Sequence, residues 1–199
     1  MITINARINM RKVIVSMNVT LDGYMAGRNC ELDWHFNYWN EEMAEHACQQ
    51  LSKTDTILLG RVTYLAMARY WPYQAFNLSF PREHIAFADM MNSHLKIVFS
   101  KTLERASWNN SRLVNRNFKT EISRLKKQEG KDIIIYGSGK LVNSLMQSGL
   151  IDEYELWVHP VLLGEGKALF TGIQDMHTLK LKRTIPFDSG VVILYYGAA

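Results

Sequence analysis

Asp132-Ile-Ile-Ile-Tyr-Gly-Ser-Gly-Lys-Leu-Val-Asn-Ser-Leu-Met146 decides the architecture. Three isoleucines and a tyrosine form a β-branched run of strand length, bounded by glycine. Beyond Gly137-Ser138-Gly139, the residues Leu141, Val142, Leu145 and Met146 share one face at helical spacing, and Gly149 is positioned to end that helix. Two other segments repeat the layout of a buried strand followed by small or polar residues. Thr56-Ile-Leu-Leu59 runs into Gly60-Arg61-Val62-Thr63 and a helix through Leu65, Ala66 and Ala68, expected to stop before Pro72. Leu95-Lys-Ile-Val-Phe99 ends at Ser100-Lys101.

The remaining segments fit around these three. Val13 to Thr20 is a β-branched run that closes on the turn signal Asp22-Gly23. Asn40 caps a helix with Glu41 and Glu42 in its first turn and Met43, Ala44, Ala47, Cys48 and Leu51 on its apolar stripe. Pro81 opens another helix, and Thr120 to Glu129 reads as an exposed helix ended by Gly130, after a polar, loop-rich stretch from Thr102 to Asn117. Tyr154 to Val158 is a strand broken by His159-Pro160. Leu179, Leu181 and Arg183 alternate toward a turn at Asp188-Ser189-Gly190, and Val191 to Tyr196 returns as the second arm of an antiparallel hairpin. Strands alternating with helices predict an α/β fold, a mixed and mostly parallel sheet covered by helices on both faces. One domain is expected over residues 12–199, after a short N-terminal extension of residues 1–11.

Composition narrows the function classes. The chain has 199 residues, 47% of them hydrophobic and 21% charged, which is globular. Its longest stretch without Asp, Glu, Lys or Arg, Tyr70 to Pro81, contains Pro72, Gln74, Asn77 and Ser79, so no membrane span is expected. A net charge of +4 with scattered basic residues does not point to nucleic acid. Cys30 and Cys48, without a CxxC spacing, fit reduced thiols in a cytoplasmic protein. The six histidines show no pair at ligand spacing, so no metal site is expected.

The chemistry is expected at the carboxyl ends of the three strands, where open α/β sheets bind ligands. First-turn helix amides there attract phosphate, and glycine lets the backbone approach it. Arg61, Lys101 and Lys140 can add charge and Ser100 a hydroxyl, so together the three segments point to a dinucleotide.

The sequence resembles a known family at these positions. Gly60-Arg61-x-Thr63, Ser100-Lys101 and Gly137-Ser138-Gly139 look like the NADPH contacts of dihydrofolate reductases. The opening Ser16-Met-Asn-Val-Thr-Leu-Asp22-Gly23-Tyr24-Met25-Ala26, with Asp33-Trp34 and the segment Pro160 to Phe170, is similar to the C-terminal reductase domain of bacterial riboflavin-biosynthesis proteins and its stand-alone relatives. The resemblance runs from about Lys12 to the C-terminus. It implies a dihydrofolate reductase-like fold and an NADPH-dependent reductase of a small heterocyclic, carbonyl or imine substrate, working as a homodimer. By the same resemblance Gly60, Arg61 and Thr63 hold the pyrophosphate end, Gly137, Ser138, Gly139 and Lys140 cradle the diphosphate, and Ser100 and Lys101 face the adenosine 2′-phosphate. Val19, Thr20 and Trp34 line the nicotinamide or substrate pocket, with Asp22 at its edge as the candidate proton donor. The riboflavin-pathway reductase carries an acidic substrate ligand before its glycine loop, where this chain has Ile135 and Tyr136. That departure implies a changed substrate and keeps a second reading open, a nucleotide-binding or sensory protein without turnover. Among structural readings, Asp22-Gly23 is a turn, Glu41 and Glu42 are helix-dipole partners, and His159 is a structural residue at a strand end.

Overall fold

A computed structural model describes residues 10–74 and 82–198. Its strands are β1 (Val13–Thr20), β2 (Tyr24–Ala26), β3 (Thr54–Gly60), β4 (Leu95–Phe99), β5 (Ser111–Val114), β6 (Asp132–Tyr136), β7 (Glu153–His159), β8 (Lys167–Ala168), β9 (Leu179–Pro186) and β10 (Val192–Ala198). Its helices are α1 (Asp33–Phe36), α2 (Glu41–Ser52), α3 (Arg61–Gln74), α4 (Arg82–Ser93), α5 (Phe118–Lys126) and α6 (Gly139–Met146). Eight strands form one sheet in the order β5-β4-β3-β6-β1-β7-β10-β9. From β5 to β7 every pairing is parallel, and the hairpin of β9 and β10 closes the sheet antiparallel. The mixed α/β sheet expected from the strand pattern is therefore present.

β1 lies between β6 and β7, buried on both faces, and its alternation divides the core. Val13, Val15, Met17 and Val19 pack with Ile122 and Leu125 of α5 and with Leu141, Val142 and Leu145 of α6. On the other face Leu51, Tyr64 and Met91 of α2, α3 and α4 meet Ile57, Leu59, Val98 and Ile134. Asn40 caps α2 as its sequence predicts, accepting a hydrogen bond from the Met43 amide at 2.9 Å.

Three expectations are corrected. Pro72 lies inside α3, in its last turn, where a missing N–H costs one hydrogen bond, and Asn92 Nδ2 donates to the Trp71 carbonyl at 3.0 Å. The polar stretch after Lys101 contains the strand β5, whose four half-buried residues pair with β4. Arg11, assigned to an extension, is buried and ion-pairs with Asp55 while donating to Thr56 Oγ1 at 2.8 Å, so the folded unit includes it. Pro81, expected to open a helix, lies outside the described residues. Among the described residues no helix is long and apolar enough to cross a membrane.

Candidate functional site

Parallel pairing puts the carboxyl ends of β4, β3 and β6 side by side on one edge. Two of the turns there are bound to each other. Gly60 N donates to Ser138 Oγ at 2.9 Å, Ser138 N donates to Thr63 Oγ1 at 3.0 Å, and Ser138 Oγ donates to the Tyr136 carbonyl at 3.1 Å. Gly137 (φ +53°) and Ser138 (φ +60°) are both left-handed, which folds the chain back so that α6 starts against α3. A Cβ on Gly137 would lie 2.9 Å from Thr63 Oγ1, and one on Gly139 would lie 2.7 Å from Met25 Sδ. These glycines are thus required by the protein's own packing. Neither α3 nor α6 has an acidic residue in its first turn, and the exposed Arg61, Lys101 and Lys140 stand at the same edge. First-turn amides with positive charge around them suit a phosphate group. The Ser100 hydroxyl accepts from the amides of Leu103 at 2.9 Å and Thr102 at 3.2 Å, which shapes the turn that presents Lys101.

Asp22 stands in the turn after β1. Its carboxylate accepts from Thr20 Oγ1 at 2.5 Å and from the amides of Leu163 at 3.0 Å and Gly164 at 2.7 Å. The Thr20 hydroxyl first, and then the Gly164 and Leu163 amides, hold this carboxyl below its ordinary range. This ionised form fastens the β1–β2 turn to the loop after β7. Leu169 N donates to the Gly23 carbonyl at 3.0 Å, and Asn143 Nδ2 of α6 donates to the Leu169 carbonyl at 2.8 Å. The segment Pro160 to Phe170 is thereby wedged between the β1–β2 turn and the start of α6, and the motifs carrying the resemblance meet in space.

On the side of the sheet covered by α2, α3 and α4 lies a cavity of about 510 Å³. Ser16, Asn18 and Tyr136 form its floor, and Trp39, Trp71 and Phe87 are among its walls. Tyr136 directly precedes the glycine turn, so the cavity adjoins the strand ends described above. The floor is tied into a buried network. Gln50 Nε2 donates to Glu155, Ser16 Oγ donates to Gln50 Oε1 at 3.0 Å, and Trp157 Nε1 donates to Ser16 Oγ at 3.3 Å. Tyr136 OH donates to Gln50 Oε1 at 3.5 Å. Burial pushes the Glu155 carboxyl and the Tyr136 phenol above their ordinary values, so Tyr136 remains a neutral hydroxyl.

Beyond Asn18 is a small aromatic cluster. His159 is fully buried and its Nε2 lies 3.1 Å from Asn18 Oδ1. Its ring is edge-on to Trp34 at 5.2 Å and stands 5.8 Å from His35. Trp34 Nε1, His35 Nδ1 and His159 Nδ1 are buried without a hydrogen-bond partner among the described residues. Burial first, with His35 adding to it, pushes His159 down to about 4, so the ring is neutral.

The structure thus brings together Gly60, Arg61, Thr63, Gly137, Ser138, Gly139 and Lys140, with Ser100 and Lys101 at the adjoining strand end. It separates Val19, which packs under α6, from the cavity on the opposite face. Thr20 is committed to the Asp22 turn, and Trp34 stands behind His159 and does not line the cavity. The residues that do line it from β1, Ser16 and Asn18, carry a legible signal: polar side chains at alternate positions of a strand whose other residues before Thr20 are apolar.

Comparison with known proteins follows this geometry. The model of the RibD C-terminal domain family matches residues 11–193. The uncharacterized protein YyaP of Bacillus subtilis (strain 168) is 35% identical over 189 residues, covering 95% of this chain and 96% of that protein. A Shewanella sp. PV-4 protein assigned to riboflavin biosynthesis has a structure with TM-score 0.72 and 22% identity, over 94% of this chain and 99% of that one. Dihydrofolate reductase of Enterococcus faecalis, solved with NADP(H), gives TM-score 0.61 and 15% identity, over 94% of this chain and 96% of that one. The fold is dihydrofolate reductase-like, and the chain belongs to the RibD C-terminal domain family.

Proposed function

We propose that this protein is an NADPH-dependent reductase of a small heterocyclic, carbonyl or imine substrate, related in reaction to the riboflavin-pathway reductases. One observation carries the reading: three neighbouring strand ends, two of them opening helices and all three bearing an exposed cation, adjoin a cavity large enough for a ring compound. Family membership supports it. Gly60, Arg61 and the start of α3 would receive one side of the coenzyme's diphosphate, and Gly139 and Lys140 at the start of α6 the other. Thr63 and Ser138 keep the two turns locked in register. Lys101 would take the adenosine 2′-phosphate, on a turn shaped by Ser100. The bound coenzyme supplies hydride. Asp22, ionised and fully engaged, holds the loop that covers the start of α6. The enzyme is proposed to be cytoplasmic and homodimeric.

Titration of coenzyme fluorescence tests this. NADPH is expected to bind at least about tenfold more tightly than NADH, the difference one charge-assisted phosphate contact supplies. Lys101→Glu removes that preference. Failure of both nucleotides to bind overturns the reading. Binding without NADPH oxidation across a panel of pteridines, pyrimidines and carbonyl compounds favours a nucleotide-binding protein without turnover.

A further inference from the structure

The cavity floor presents its polar groups selectively. Gln50 turns its amide nitrogen to Glu155, and its carbonyl already accepts from Ser16 and Tyr136, so that carbonyl is occupied. The Ser16 hydroxyl gives its one proton to Gln50 and accepts from Trp157 Nε1, so it has no proton to offer the cavity. Asn18 differs. It is the residue of β1 that is only half-buried between Val13 and Thr20, and it lines the cavity. The buried, neutral His159 has no partner at Nδ1, so its single proton sits on Nε2 and is donated to Asn18 Oδ1. This hydrogen bond fixes the amide and leaves its N–H2 group to the cavity. The walls are aromatic, and among the described lining residues there is no Asp, Glu, Lys or Arg. The lining histidines are His84 and His35, and burial disfavours the charged form of His35. A phosphate buried here would lose its hydration with no Lys or Arg in exchange.

We propose that the cavity takes an uncharged, flat ring compound lacking phosphate, whose carbonyl oxygen accepts a hydrogen bond from Asn18, with His159 as the positioning residue for that amide. The proposal rests on the reductase reading only in taking this occupant to be the substrate. It narrows the substrate to an acceptor-bearing ring, in contrast to a phosphorylated or donor-rich aminopyrimidine.

Equilibrium dialysis of the full chain against matched probes tests it: 1-indanone, a flat bicyclic ketone; indane, the same frame without the oxygen; and uridine monophosphate. 1-Indanone is expected to bind most tightly and uridine monophosphate most weakly. Asn18→Leu weakens 1-indanone about tenfold, the worth of one net hydrogen bond, and leaves indane no weaker. His159→Phe acts like Asn18→Leu, whereas His159→Gln, which keeps an amide N–H near the Nε2 position, restores most of the 1-indanone affinity. Asn18→Leu alone remains decisive should His159→Phe fail to fold. Tighter binding of uridine monophosphate than of 1-indanone, or equal weakening of both ring compounds in Asn18→Leu, overturns the proposal. If 1-indanone binds in an Asn18-dependent way while NADPH does not bind, the reductase reading falls and the cavity assignment stands. If NADPH binds and the 1-indanone result fails, only the cavity assignment falls.

Discussion

Gly137 combines a left-handed backbone with a side-chain position 2.9 Å from Thr63 Oγ1. An alanine there meets both penalties, the steric cost of the conformation and the contact with Thr63. Gly137→Ala is expected to cost about 2 kcal/mol in urea unfolding. Part of that cost should disappear in a Thr63→Ala background, where the contact is relieved but the strain is not. His159 makes a second test at this scale. Its folded value of about 4 lies below the ordinary 6.5, so the unfolded chain binds the proton more readily between those values. The associated stability is full above pH 6.5 and is lost as pH falls through 4, on the order of 3 kcal/mol for this fully buried ring. Urea unfolding at pH 7 and pH 4.5 should show a smaller acid loss in His159→Gln than in the native chain. An equal loss in both contradicts the assignment of a buried neutral ring.

Between elements, the joint of β3–α3 with β6–α6 depends on Ser138. Ser138→Ala removes the acceptor for the Gly60 amide and is expected to cost about 1–2 kcal/mol, with faster hydrogen exchange at Gly60 as its local sign. Unchanged Gly60 exchange would mean that the joint does not hold the turn. The two turns were legible in the sequence because a strand, a glycine turn and a helix start are local features of a dozen residues. Their bonding through Ser138 was not, because it depends on the pairing of β3 with β6. The cavity was not, since Asn18 acquires its meaning only from His159 and Ser16 only from Gln50 and Trp157, partners brought together by β-pairing and by α2. β5 was hidden for the same reason. Ser111 to Val114 become a strand because β4 supplies hydrogen bonds, and their own propensity is weak. Asp22 was legible as a turn residue, but the pairing of its carboxylate with Leu163 and Gly164 depends on the parallel register of β1 with β7.

Across the whole molecule, the long-range pairings of β1 with β6 and β7 join the N-terminal strand to the last third of the chain. The chain from Arg11 onward is therefore expected to unfold in one transition, with tryptophan fluorescence and circular dichroism coincident. Two separated transitions would contradict a single domain. β9 ends the sheet with Leu181 exposed, and Leu162 is exposed on the loop after β7. Sedimentation velocity is expected to give twice the 23.0 kDa chain mass, and a monomer at all concentrations would contradict the proposed homodimer. The central claim is that amides from adjacent strand ends serve one coenzyme. Its most direct test is amide NMR of the full chain titrated with NADPH. Signals of residues 60–63, 100–101 and 137–140 are expected to shift together along one binding curve. Shifts confined to one of these turns, or centred elsewhere on the molecule, would contradict it.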